Sequence, residues 1–466
     1  MVKTEAAAAD VRRLKFYRAM LVHPVGTSLE TMHEDHILPA DDPLRLVLHN
    51  EVHARPPARV RLPALVVYVA VLNDGVSRTD EHAHLQRLPG QHELSEAALN
   101  ANFLRLRCGE FSLKWERHAE FTRYSVVQPL PADAEPGAQT LDALALRVSA
   151  DWLGRIPGRT FAAIKLVMIE RPLTFTPSAL AEAQAWFGAH AVVASTMGGH
   201  SLVATDFCLR ATGFEHIVVL AEPGTPETRA GRICQRLLEL ETYRLMALRG
   251  LPAAKSLGAT LADVEATLAD ITARLEQRGA SEAELLDDLI STAARIEHAT
   301  AEHQYRFSAT QAYQAIVEQR IHELHEGKVA GTQTLGEFMQ RRLSPAIATV
   351  NATAQRLAGL SQRISRASAL LRTRVDIATE AQNQQLLTQL GEGQRTQLRM
   401  QATVEGLSLA AITYYVVSLL LYFFKALKTE GWLPVAPELA AGAAIPAVLA
   451  GVWWTTRRIH RKFFGH

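Results

Sequence analysis

Short apolar runs set off by polar turns recur through the first half of the chain, at 64–72, 162–169, 191–195, 202–209 and 217–220. Runs this short, rich in Val, Ile and Leu, predict strands buried on both faces. Phe111-Ser-Leu-Lys-Trp115 alternates apolar and polar side chains instead, which predicts a half-exposed strand. Between these runs, apolar residues spaced by three and four predict helices over 77–88, 92–102, 139–150 and 177–187. Strands interspersed with helices predict an α/β fold with a mixed sheet over residues 1–225.

From Glu227 the strand signals vanish, and glycine and proline thin out. Helices are predicted over 227–249, stopping before Pro252, over 257–277, and over 281–326, closing at Gly327. A last helix starts near Thr334 and runs on with a single proline, Pro345. Its apolar stripe is Ile347, Val350, Ala354, Leu357, Leu360 and Ile364, continued by Leu371, Val375 and Ala378. Residues 226–405 therefore read as a long-helix stalk of coiled-coil character; an antiparallel bundle is the alternative, and the two are compatible.

Two apolar stretches follow, 406–424 and 439–456, each long enough at 1.5 Å per residue to cross about 30 Å of hydrocarbon. They predict a two-helix transmembrane hairpin followed by a basic tail, 457–466. Arg395 and Arg399 precede the first stretch; Arg457, Arg458, Arg461 and Lys462 follow the second. The loop between them has Lys425 and Lys428 against Glu430. Basic flanks resist translocation, so both termini are expected in the cytoplasm, with two spans in the cytoplasmic (inner) membrane. No signal peptide is visible at the start.

One face of the first apolar stretch is small or polar throughout: Ser408, Ala411, Tyr415, Ser418, Tyr422 and Lys425. The same stepping by three and four leads back through Val404, Gln401, Gln397, Gln394, Leu390 and Leu387 to Asn383. Lipid offers a hydroxyl no partner, so this seam is expected to face protein or to line a pore. No Asp or Glu lies on it within the span, and Lys425 closes its outer end, which argues against cation conduction.

The composition, 48% hydrophobic and 21% charged with a formal net charge of +1, suits a folded soluble part joined to a membrane part. It implies neither a nucleic-acid nor an acidic partner. The three cysteines, Cys108, Cys208 and Cys234, are far apart and lack zinc spacing.

Two resemblances enter here. The order of α/β domain, stalk, first span, short loop, second span and basic tail is similar to the CorA family of divalent cation transporters. The joint Asn383-Gln-Gln-Leu-Leu and Gln397-Leu-Arg-Met-Gln-Ala-Thr-Val-Glu-Gly-Leu-Ser408 resembles the corresponding joint there. That likeness implies a homo-oligomer, a pentamer in that family, and a divalent metal ion as cargo. The chain departs from it after the first span, where Gly-Met-Asn is replaced by Phe423-Phe-Lys-Ala-Leu-Lys-Thr-Glu-Gly-Trp432. A second resemblance rests on Leu48-His-Asn-Glu-Val-His-Ala-Arg-Pro56, on Lys114-Trp-Glu-Arg-His-Ala-Glu-Phe121 and on the hairpin. These resemble a bacterial family of unknown function described as predicted membrane-anchored proteins, and imply anchoring without an assigned activity.

The first of those motifs is the foremost candidate for chemistry. In an extended segment, which Pro56 and Pro57 favour, His49, Glu51 and His53 point to one side. Two imidazoles and a carboxylate suit zinc or another divalent ion. Arg55, Arg59 and Arg61 could neutralise Glu51 or bind an anion. A structural polar cluster is the plainer reading of the same residues. The pairs His33 and His36, and His82 and His84, could add ligands but read first as solvated; Met197-Gly-Gly-His200 reads as a tight turn between strands. Trp115 and Phe121 read as core. No nucleophile with a matching base is recognisable, so an enzyme is not the first expectation. The leading expectation is a membrane-anchored oligomer, followed by a divalent metal ion conduit, then a metal-dependent hydrolase using His49, Glu51 and His53.

Overall fold

A computed structural model describes residues 42 to 464, apart from 47, 50–58, 92–93, 96–97, 99, 136–140, 142–143, 174–176, 278–280 and 430–433. The strands are β1 (Ala64–Leu72), β2 (Phe103–Cys108), β3 (Phe111–Arg117), β4 (Phe121–Pro129), β5 (Arg159–Glu170), β6 (Val192–Thr196), β7 (Ser201–Thr205), β8 (Glu215–Ala221) and β9 (Gly327–Lys328). They form one mixed sheet in the order β2-β3-β4-β1-β5-β8-β7-β6-β9. β1 lies antiparallel between β4 and β5, and the one parallel pair among the described strands is β5 with β8.

The unbroken apolar run of β1 follows from its central place. Ala64, Val66, Tyr68, Ala70 and Leu72 go into one core, and Leu65, Val67, Val69 and Val71 into the other, so neither set meets water. The helices are α1 (Arg78–Leu85), α2 (Ala150–Gly154), α3 (Pro177–Phe187), α4 (Glu227–Leu248), α5 (Gly250–Glu276), α6 (Glu282–Leu324), α7 (Leu335–Arg342), α8 (Ser344–Thr429) and α9 (Pro437–Phe464). The first core is closed by α4 (Ile233, Leu237, Met246), by Val317 and Leu324 of α6, by α7 and by Ile347 of α8. The second is closed by Leu85 of α1, Trp152 of α2 and Phe187 of α3.

The described chain divides into two compact units. One holds the residues up to Ile271 and those from Asp288 to Ile364; the other holds Thr272–Asp287 and Ser365 onward. The first unit thus includes the sheet together with helices from beyond residue 225. Its helices α5, α6 and α8 form a three-helix bundle whose directions can be read from ion pairs and side-chain bonds. Asp263 pairs with Arg295 at 2.7 Å, Glu265 with Arg356 at 2.9 Å, and Gln311 donates to Asn351 at 2.9 Å. The apolar stripe Ile347, Val350, Leu357, Leu360 and Ile364 is buried, each residue at 5% exposure or less. In this part of α8 the stripe is therefore bundle core.

In the second unit α8 continues as a single helix with scarcely a sheltered position between 372 and 404. Near the unit's other end, Arg374 donates to the carbonyls of Leu275 at 2.8 Å and Gln277 at 3.1 Å, closing the C-terminal turn of α5. Beyond 405, both α8 and α9 contain a stretch long and apolar enough to cross a membrane, and only 6% of each stretch is buried.

Several boundaries move for local reasons. Of the predicted helix over 139–150, residues 139–140 and 142–143 lie outside the described residues, 144–149 are not helical, and α2 begins at Ala150. Leu144, Leu146 and Val148 are spaced by two, and the Gln128 amide ties this non-helical segment to β4, donating to Ala145 O and accepting from Arg147 N, both at 2.9 Å. α5 begins at Gly250 and not at 257, because Pro252 falls in its first turn, where a missing N–H costs nothing. Pro345 likewise marks the restart of α8 after the short α7. Met197-Gly-Gly is the tight turn joining β6 to β7, with Met197, Gly198 and Gly199 all at positive φ. The expected helix over 92–102 lies partly outside the described residues, and the conformation at Asn102 is a bend leading into β2.

Candidate functional site

Near the free edge of the sheet one face turns polar. In β2 the alternation sends Leu106 and Cys108 into the second core, while Phe103, Arg105 and Arg107 share the opposite face. Strand register then fixes three rows across that face. Arg107 is opposite Ser112, and Ser112 opposite Val127; Arg105 is opposite Lys114, and Lys114 opposite Ser125; Phe103 is opposite Glu116, and Glu116 opposite Arg123. The middle row ends on Tyr68, the β1 partner of Ser125. A pocket between this floor and α4 is lined by Tyr68, Lys114, Glu116, Arg123, Cys234 and Leu238, among others.

The deep end of the pocket is electrically closed. Glu116, 2% exposed, receives Arg123 Nε at 2.5 Å and Lys114 Nζ at 3.1 Å. Arg123 also reaches Glu239 at 3.4 Å, and Glu239 is held by Arg320 Nε at 2.6 Å and by the Gln235 amide at 2.8 Å. Burial opposes the charge on Glu116, but Arg123 and Lys114 more than offset it and hold its carboxyl below the usual range. Burial lowers the pKa of Lys114 and raises that of Tyr68, whose hydroxyl lies 2.6 Å from Thr242 Oγ1. The Cys234 thiol is pushed up to about 12 by burial, which leaves it protonated and unreactive as a nucleophile.

The shallow end is different. A cleft beside the pocket is lined by Arg59, Arg61, Arg105 and Arg107, with Glu110 and Glu227 on its wall. Glu110 pairs with Arg147 at 2.8 Å. Val60 N donates to Glu227 O at 3.0 Å, fixing the lead-in to β1 against the start of α4 and so placing Arg59 and Arg61 at the cleft. Two of the sequence-selected arginines are thus brought together with two from β2 that sequence reading missed. The signal was there in Leu104-Arg-Leu-Arg-Cys108, a strict alternation of apolar residues with arginine.

Of the proposed metal residues, His49 sits in a short helical turn, where Leu48 N donates to Leu44 O at 2.8 Å. The extended geometry expected there does not hold at His49. Glu51, His53 and Arg55 lie outside the described residues. Among the described residues no group of three or more His, Cys, Asp or Glu side chains is gathered as metal ligands. His82 and His84, expected in solvent, are buried at 6% and 3% exposure. α1 lies on the second core, and His84 stacks on Trp152 with ring centroids 4.2 Å apart. Burial, then Arg87, lowers its pKa to about 4, so the ring is a neutral packing element at pH 7. Trp115 and Phe121 are core, at 0% and 1%.

A second buried polar group joins Glu215 of β8 to Glu241 and Arg244 of α4. Arg244 Nε donates to Glu241 at 2.7 Å and its NH2 lies 3.8 Å from Glu215. Burial, then the Glu241 charge, pushes the Glu215 carboxyl up to about 9. Arg244 is thus the cation beside both carboxyl groups.

In the second unit, the sheltered stripe of α8 beyond 405 is Leu409, Thr413, Val416, Leu420 and Phe424. That of α9 is Pro437, Ala441, Ala444, Val448 and Val452, mostly small residues that let a neighbouring helix approach closely. The seam picked out from sequence is elsewhere on α8. Ser408, Ala411, Tyr415, Tyr422 and Lys425 are exposed, Tyr415 at 67% and Tyr422 at 70%, and Ser418 is half-buried. Asn383, Leu387, Leu390, Gln394, Gln397, Gln401 and Val404 on the same line are exposed as well. Where the apolar part of α9 ends, Arg457 lies over Trp453 at 4.9 Å and Arg458 over Trp454 at 5.2 Å.

The family model described as protein of unknown function (DUF3422) matches residues 40–463, and the chain belongs to that family. No curated protein and no solved structure matches it.

Proposed function

We propose that this member of the DUF3422 family is a membrane-anchored protein that assembles with copies of itself along the seam from Asn383 to Lys425. In this reading α8 and α9 cross the cytoplasmic membrane and hold the α/β domain on the cytosolic side. The observation that carries it is the exposure of the seam. Its steps alternate four and three without a break, the 3.5-residue period that keeps one helix line against a partner as the helices supercoil. Apart from the half-buried Ser418, the α8–α9 hairpin leaves that line uncovered, so within a bilayer the hydroxyls of Ser408, Tyr415 and Tyr422 would meet hydrocarbon. An unpaired hydroxyl there costs about 1–3 kcal/mol, and a second copy removes the cost by facing like positions together. The Trp453–Arg457 and Trp454–Arg458 pairs suit the interface at the cytosolic end, where aromatic and basic side chains concentrate. The CorA likeness in the order of elements enters this proposal only as a resemblance of sequence pattern, with assembly rather than ion passage as the property it would share.

Cysteine cross-linking in native membranes tests this. With Cys208, which is exposed, replaced by Ser, a cysteine at Ser408 or Ala411 is expected to yield disulfide-linked copies. One at Leu407 or Leu419, both 69% exposed but off the seam, is expected not to. Equal cross-linking on and off the seam, or none on it, would refute assembly through this line. Two cysteines per chain would extend the linked species into a ladder whose last rung counts the copies.

A further inference from the structure

The polar face near the sheet edge carries a charge arrangement that folding alone does not account for. Arg105 and Lys114 are directly opposite on antiparallel strands, and like charges so placed disfavour pairing. Lys114 is partly neutralised by Glu116, yet Glu116 is already engaged by Arg123. At the rim, Arg59, Arg61, Arg105 and Arg107 line one cleft, and none has an acid partner among the described residues. Of the two acids there, Glu110 is paired with Arg147, which leaves Glu227 against four guanidiniums. All four rim arginines are exposed and reach a cleft that continues into the pocket over Lys114, Ser125 and Tyr68. The wall nearest them is apolar, formed by Val60, Phe103, Val127 and Leu238.

We propose that this face binds an organic phosphate, with the phosphate oxygens held by Arg105, Arg107, Arg61 and Lys114 and the carbon body of the ligand against Phe103 and Val127. A guanidinium fork matches two phosphate oxygens at once, and several forks around one cleft suit a group bearing two charges. Ser125 and Tyr68 extend the same row with hydroxyls, which can donate to an oxygen that enters deeper. Phosphate esters reach such a site either as soluble metabolites or as lipid headgroups, and both present the same group to the arginines.

Isothermal titration of the full chain in zwitterionic nanodiscs separates the sources. The probes are inorganic pyrophosphate and dihexanoyl phosphatidic acid, with chloride as the reference anion. Binding of pyrophosphate as tight as that of the lipid supports a soluble phosphate ligand; binding of the lipid alone supports a headgroup. Either result supports the site only if R105Q/R107Q weakens it by about tenfold per arginine removed. These two side chains are exposed on an edge strand, so an unchanged melting curve for R105Q/R107Q establishes that the variant is folded; R61Q, outside the sheet, serves if it is not. Affinity for neither probe, or affinity unmoved by R105Q/R107Q and R61Q, overturns the proposal.

Discussion

Arg123 is the residue whose removal should be felt most strongly in the α/β unit. It is 4% exposed and bridges Glu116 on β3 to Glu239 on α4, tying the sheet to the helix that closes its first core. Replacing it by Met keeps the apolar stem but leaves two buried carboxylates short of a cation. Breaking a buried pair from one side costs about 3–5 kcal/mol. Here the lower end applies, since Glu116 keeps Lys114, and Glu239 keeps Arg320 and Gln235. An expected loss of about 3 kcal/mol corresponds to a fall in Tm of about 6 °C. Thermal melting of the full chain in detergent, followed by tryptophan fluorescence, reads it. Trp115 and Trp152 lie in the second core of the same unit.

A double-mutant cycle decides whether the loss comes from stranded charge. Glu116→Gln removes one of the two carboxylates, so R123M/E116Q should lose less than the two single variants added together, by about 0.5–3 kcal/mol. The pH dependence supplies a second check. The Glu116 and Glu239 carboxyls have pKa values below the usual carboxylate range in the folded protein, with burial opposing and Arg123 lowering each. Their stabilisation is therefore present above the unfolded value of about 4.5 and is lost as pH falls through the folded values. The gap between the parent and R123M should narrow in acid. A variant within about 0.5 kcal/mol of the parent at pH 7, or strictly additive singles, would refute the stranded-charge account.

Two further outcomes follow from the same unit. Glu215 has a folded pKa raised to about 9 from 4.5, so the folded protein keeps a proton that the unfolded chain loses; stability should fall as pH rises through that window, by up to about 1.4 kcal/mol per unit, and E215Q should flatten the decline in Tm between pH 5 and pH 8. Equal slopes for the two proteins would remove the reading that the buried Glu215 carboxyl keeps its proton. Gly158 lies at φ +115°, and an added Cβ would come 2.5 Å from the Leu72 carbonyl oxygen and 3.1 Å from Val71, beside the bulge in the β1–β5 pairing. G158A should therefore cost about 2 kcal/mol or more, whereas G213A, at φ +81° with nothing within 4 Å, should cost only the backbone strain of about 1 kcal/mol; equal Tm losses would contradict the steric part.

Most of the strands legible in the sequence were those buried on both faces, with the alternating β3 as the half-exposed exception. β1, β5, β6 and β8 are continuous apolar runs because helices cover both sides of the sheet there, and a continuous run needs no knowledge of what lies opposite. β2 and β4 were not read as strands. In β4, Thr122, Arg123, Ser125 and Gln128 interrupt the apolar residues; all four are buried, and Thr122, Arg123 and Gln128 are satisfied there by partners from other elements. Such a strand looks polar until Glu81, Glu116 and Glu239 are placed around it; Glu116 comes from the neighbouring strand, but Glu81 and Glu239 lie tens of residues away or more, on α1 and α4. His82 and His84 misled for the same reason, since a polar helix face is expected in water unless Trp152 is known to cover it.

The site near the sheet edge was half legible for a related cause. Arg59 and Arg61 drew notice because they stand close together in the chain, while Arg105 and Arg107 join them only through the register that sets β2 against β3 and the backbone bond that holds Val60 to α4. The seam on α8 is the opposite case. It lies on one helix, its spacing is set by α-helical geometry alone, and no folding of the rest of the chain was needed to find it. What the fold adds is that the sheltered stripe of α8 runs through Leu409, Thr413 and Val416, leaving the seam open. A hairpin that needed only an anchor would turn its hydroxyls toward its own second helix and its leucines toward lipid. In α8 most of the seam, with its two tyrosines, instead faces away from the second helix, which is the arrangement the proposed assembly with a second copy rests on.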